Sequence, residues 1–139
     1  MKFVRDNNVI FLRLDKGGEI NKSIIYIAKE ENVNTCWING IGAIEDIEMG
    51  FYDLREKKYD KKIFKGNYEL TSFMGNITIK GQEQFLHSHI TISDENYKSI
   101  GGHLFEAKIK VAGEFFMYIS KKKIIRELDS KIGLALWDF

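Results

Sequence analysis

The sequence predicts an α+β domain, with one main helix packed on a mainly antiparallel β-sheet. Two observations carry this. Only one stretch shows helical periodicity, from about Glu19 to Glu31, where Ile20, Ile24, Ile27 and Ala28 share a stripe opposite lysines and glutamates. Nearly every other apolar run alternates or is short and β-branched, which is the pattern of strands. The 139 residues, 44% of them hydrophobic, suffice for one domain with a real core, and no internal repeat divides them.

Taken in order, Ile10, Leu12 and Leu14 alternate with Phe11 and Arg13 as a half-buried strand, and Lys16-Gly17-Gly18 turns the chain into the helix. Asn32 is a plausible stop. Thr35 to Ile38 reads as a buried strand that enters a glycine-containing connection, Asn39-Gly40-Ile41-Gly42-Ala43. Ile47, Met49 and Phe51 form the next alternating run. The charged stretch Leu54 to Lys62 reads as a solvated hairpin, because Glu56 and Asp60 dilute its lysines. Further strands are expected at 68–79, 84–92, 99–105 and 114–119. The apolar tail Ile132-Gly133-Leu134-Ala135-Leu136-Trp137-Asp138-Phe139 should dock on the domain or on another subunit.

The net charge is +1, which speaks against a polyanion binder driven by a basic excess. The one basic cluster is Lys121-Lys122-Lys123 with Arg126, and it reads first as a solvated turn. Cys36, the only cysteine, excludes an intramolecular disulfide and suits a reducing, cytoplasmic setting; its neighbours make it core packing. No segment has the roughly 20 apolar residues that a membrane-spanning helix needs. The continuous run Phe115-Phe116-Met117-Tyr118 suggests a strand covered on both faces, the second cover coming from a neighbouring subunit.

The chemistry concentrates in the histidines, of which there are three: His87, His89 and His103. In a strand, His87 and His89 point to one face. Ser93 to Lys98 is rich in turn formers, so the two flanking runs should form a hairpin. A turn centred on Glu95 would place His87 opposite His103, and His89 opposite Gly101. Three imidazoles would then crowd one patch, which makes sense around a divalent cation; zinc with three protein ligands plus water is the usual open arrangement. Gly101 and Gly102 would leave room for the ion. Exposed strand histidines also occur without any metal, and the residues alone leave both readings open.

The blocks Gly40-Ile41-Gly42-Ala43, Gly50-Phe51-Tyr52-Asp53, Tyr68 to Ile77, His87-Ser88-His89 and Gly101-Gly102-His103-Leu104 resemble the PPC domain, the family conserved in plants and prokaryotes. The likeness runs from about Phe3 to Phe139. It implies a mainly antiparallel α/β domain, commonly a homotrimer, whose equivalent histidines form a metal site, usually zinc. Plant members carry AT-hooks for DNA, and this chain has no such segment, so the DNA label lacks a residue to rest on. A weaker likeness joins the domain to acetolactate decarboxylase, which also sets a His-x-His pair and a third histidine around zinc.

Two function classes follow. One is a zinc-dependent enzyme on a small molecule, with Glu69 and Glu114 as candidate acid–base groups. The other is a binding or assembly module in which the metal is structural or regulatory and the partner is a protein, a small ligand or DNA.

Overall fold

The computed structural model describes residues 1–139. Its elements in chain order are β1 (Lys2–Asp6), β2 (Val9–Asp15), α1 (Ile20–Glu30), β3 (Cys36–Asp53), β4 (Lys58–Phe64), β5 (Tyr68–Lys80), β6 (Glu83–Ser93), β7 (Ser99–Ile119), β8 (Ile125–Asp129) and β9 (Leu134–Asp138). One helix and one sheet match the expected α+β class. All pairings are antiparallel except β5 with β8.

The helix buries the expected stripe of Ile20, Ile24, Ile27 and Ala28. It stops where Asn32 adopts φ 54°, and Val33 N donates to Ala28 O while Asn32 N donates to Lys29 O. That pair of bonds is a Schellman ending, which satisfies the last carbonyls. At the other end Glu19 offers no side-chain cap. Instead the Glu106 carboxylate, from β7, accepts from Asn21 N and Lys22 N.

Four strands close a ring: β3 pairs with β5, β5 with β6, β6 with β7, and β7 again with β3. Inside it, Ile38, Phe73, Ile77, Ile90, Phe115 and Met117 pack against the helix stripe. Alternate residues therefore face outward, and that outer face carries the histidines.

Several sequence expectations change. The segment Gly40-Ile41-Gly42 is no connection but the middle of the 18-residue strand β3, interrupted by a bulge against β5. Likewise 99–105 and 114–119 are two ends of the single strand β7, which bends through register shifts against β3. The charged stretch is a turn followed by the edge strand β4, and the N-terminal strand β1 had no periodic signal because all five of its residues are exposed. The Phe115–Tyr118 run alternates after all: Phe115 and Met117 enter the core, while Phe116 and Tyr118 stay 39% and 44% exposed.

The hairpin register also shifts. Asp94 Oδ1 accepts from Asn96 N and Lys98 N, and Tyr97 takes φ 62°. This centres the turn on Asn96, so His89 pairs with His103, and Thr91, not His89, opposes Gly101. The shift moves each partner by two residues, which preserves the face. On the other edge of β6, His87 opposes Asn76 of β5.

Glycine is required where β3 crosses β7. A Cβ on Gly42 would lie 2.5 Å from Ala112 O and 2.9 Å from Gly113 Cα, both backbone atoms that cannot step aside. Gly42→Ala is expected to destabilise the fold by about 3 kcal/mol, the upper range for overpacking. A denaturant midpoint unchanged from the parent chain would refute this.

Candidate metal centre

On β6 the even residues Ser88, Ile90 and Ile92 are buried, so His87 and His89 project from the opposite face. His103 on β7 joins them across the His89–His103 pair. The three rings stand 5.1, 5.2 and 5.4 Å apart between centroids. His87 Nε2 lies 3.2 Å from His89 Nε2, and one nitrogen from each ring fits within 4.8 Å of the others. These imidazoles can hold a metal ion.

The cluster stands at a fork. From His89 toward Ser93, β6 pairs with β7; before His89 it pairs with β5 alone. Beyond His103, β7 follows β3 instead, with Leu104 opposite Met49. Asn21, at the start of α1, bridges the opening. Its Nδ2 donates to Leu104 O and Phe105 O, and its Oδ1 accepts from Ser88 Oγ. The amide thus serves carbonyls on the strand that has left its neighbour.

A cavity of about 700 Å³ opens beside the cluster, lined by His87 and His103 together with Tyr59, Phe105, Glu106 and Arg126, among others. Its outer wall is the β8–β9 hairpin, which crosses from β5 toward the β3–β4 turn. There Tyr52 Oη donates to Ile132 O at 2.8 Å, and Lys57 Nζ donates to Ser130 O at 2.8 Å. His89 faces a separate groove that includes Gly101, Gly102, Ser72 and Met74, so the space expected near the glycines exists.

Burial holds the rings neutral. It lowers the pKa of His87 to about 4, with His89 and Arg126 adding to the effect, and lowers His103 to about 4, with His87, His89 and Lys61 adding to it. His89, more exposed, is also lowered by burial. Neutral imidazole is the ligand form. His103 Nδ1 is buried and has no hydrogen-bond partner, an open demand for a donor or an ion. The donor set and this orphaned atom fit a divalent metal such as zinc. Tyr59 stacks on His103 at 4.6 Å, and burial raises its phenol pKa.

Glu69 and Glu114 lie elsewhere: both are exposed, Glu69 pairing with Ser93 and Glu114 with Arg13, and neither lines this cavity. Two carboxylates do: Glu106 is engaged at the helix terminus, and Glu19 is paired with Lys22. Arg126 departs from its expected place in an exposed basic cluster. It is only 7% exposed and turns inward, away from Lys121-Lys122-Lys123. Sequence reasoning missed it, along with Asn21 and Tyr59; the run Ile125-Arg126-Glu127-Leu128 does not alternate and gives no sign of which face is covered. Cys36 is buried, which pushes its thiol up to about 12, consistent with packing.

A closed, mostly antiparallel sheet with an outward three-histidine cluster defines a β-rich domain able to take a metal. The chain belongs to the Plants and Prokaryotes Conserved (PCC) domain family, the PPC domain above, whose model matches residues 1–121. A plant- and prokaryote-conserved protein from Pyrococcus horikoshii is 33% identical, with 99% of this chain and 94% of that one covered and a TM-score of 0.88. A protein from Bacteroides thetaiotaomicron, provisionally described as DNA-binding, is 31% identical over 99% and 96% of the chains, with a TM-score of 0.96. A metal-containing protein from Archaeoglobus fulgidus is 30% identical over 99% and 97%, with a TM-score of 0.87. An α-acetolactate decarboxylase from Bacillus subtilis shares the fold alone, at 17% identity and a TM-score of 0.51, with 91% of this chain and 58% of that one covered. No curated protein matches the sequence.

Without metal, His87 and His103 titrate near 4 when folded and near 6.5 when unfolded. Between those values the unfolded chain binds more protons, so acid favours unfolding. Melting temperature of the apo protein should therefore fall as pH drops from about 6.5 toward 4, beyond the loss due to carboxylates. A His87→Gln/His103→Gln variant should show a shallower fall between pH 7 and 5. Parallel profiles would contradict the buried neutral rings.

Proposed function

We propose that the chain is a zinc protein, with one ion held by His87, His89 and His103 and a small-molecule ligand in the adjoining cavity. The observation that carries this reading is the convergence of three neutral imidazoles, one with an orphaned buried nitrogen, beside a cavity of ligand size. Zinc with three protein ligands supplies a Lewis acid that polarises a carbonyl or lowers the pKa of bound water to about 7. The chain's own residues do the rest. Asn21 bridges the fork, Tyr59 and Phe105 pack around His103, and the β8–β9 hairpin walls the cavity. Glu106 acts by fixing α1, because its oxygens are already taken by backbone amides. An enzymatic role is the extension of this reading, and Glu69 or Glu114 would serve it only through a segment or subunit that brings them to the cavity.

Assembly as a homotrimer accords with the outer face. Phe11, Phe116, Trp37, Tyr118 and Met74 form exposed neighbouring positions that run up to His89 along the strand register. DNA association finds less support, since the net charge is +1 and Arg126 points inward. A single buried thiol suits the cytoplasm.

Elemental analysis of the purified protein should give about one zinc per chain, lost in a His87→Ala/His103→Ala variant that still folds. Absence of metal after zinc is offered would sink the proposal. Sedimentation should give a particle of three chains, and Phe116→Asp should shift it toward monomer; a monomeric parent would refute the assembly.

A further inference from the structure

Arg126 carries a charge that the fold does not neutralise. Its Nε donates to Thr78 Oγ1 at 2.7 Å, Nη1 to Ala135 O at 2.8 Å and Nη2 to Asn76 Oδ1 at 2.9 Å. Every one of these acceptors is uncharged, and none of the ion pairs of the chain includes this side chain, which is 7% exposed. The guanidinium lies between aromatic groups, 5.2 Å from the Phe85 ring centroid and 5.9 Å from that of Trp137. A buried cation without an anion is costly, and such groups are normally paired. Three of the five guanidinium N–H groups are spoken for, which leaves two donors.

The rest of the cavity is no better supplied with negative charge. Among its lining residues Glu19 pairs with Lys22 at 2.8 Å, and Glu106 is bound to the helix terminus. Lys80, also in the lining, has no carboxylate partner and lies over the Phe85 ring. Arg126 stands close to the cluster as well: it bonds Asn76, the residue directly opposite His87.

We propose that Arg126 anchors the anionic oxygen group, carboxylate or phosphate, of a small molecule whose other polar end reaches the three-histidine centre. The second half rests on the metal reading above. The planar fork of arginine suits two-point recognition of such a group, and an entering anion supplies the missing countercharge. The cavity volume of about 700 Å³ holds a metabolite rather than a macromolecule.

The protein is loaded with cobalt(II) and its visible absorption followed during titration with L-malate, sn-glycerol 3-phosphate, dimethyl malate and imidazole. L-malate or glycerol 3-phosphate should bind, and whichever binds more tightly tells carboxylate from phosphate. Dimethyl malate, stripped of charge, should bind about tenfold more weakly than malate. Arg126→Lys should lose about tenfold toward the anions while retaining the cobalt spectrum and its affinity for imidazole, a neutral metal ligand. Equal affinity for acid and ester, or for parent and variant, overturns the anchor, as does failure of both anions to bind at millimolar concentration. If Arg126→Lys does not fold, the acid–ester comparison on the parent protein decides. A protein that takes up no cobalt overturns the metal reading instead, and this proposal with it.

Discussion

The separation of β6 from β7 at the His89–His103 pair governs much of the molecule. A sheet that splits strands its backbone carbonyls, and each one left dry costs about 1–3 kcal/mol. Here the Asn21 amide donates to two of them, Leu104 O and Phe105 O. The same short segment receives the Glu106 carboxylate at its backbone amides. Helix position, strand separation and cavity are therefore one construction: a helix that drifted would unpair the fork, and a closed fork would eliminate the cavity. The histidines sit on the last shared pair and two residues beyond it, where the cavity has begun.

Neutral imidazoles at such a place are informative. Burial, the first cause of their lowered pKa values, opposes protonation, so the rings keep lone pairs available at physiological pH. Two nitrogens 3.2 Å apart can share one proton, but a third ring nearby, with Nδ1 buried and unpartnered, exceeds what hydrogen bonding within the cluster satisfies. A cation among them would take up those lone pairs. Apolar side chains would fill the same volume without desolvating three polar rings.

The fold class was readable because periodicity reports burial: the isoleucine stripe of α1 and the alternation in β2 each name their inner face. Long strands were not readable where the chain bends. Gly40 and Gly42 look like a loop on paper, yet they are glycines because β7 runs too close for a Cβ. The histidine face was recoverable even with the wrong turn centre, since moving the turn by one residue changes the pairing sum by two and leaves parity intact. Partner identity was not, because Asp94 fixes the turn with its side chain, and no alternation pattern records that. Arg126 was misplaced for a related reason. Its charge suggested the surface beside three lysines, whereas Phe85, Trp137 and three neutral acceptors hold it inside.

The site thus has two parts of different origin in the chain. His87, His89 and His103 lie within the stretch that the family model matches, residues 1–121, and so does the fork that presents them. Arg126 and the apolar wall of Leu134 to Leu136 come from the β8–β9 hairpin beyond it. The hairpin is tied to the domain through few points: a short parallel pairing with β5, the Arg126 bonds, and two contacts near the β3–β4 turn. The metal-capable centre stands on the closed sheet, and the cavity beside it takes its outer wall from the β8–β9 hairpin. In this chain, the wall presents a buried cation.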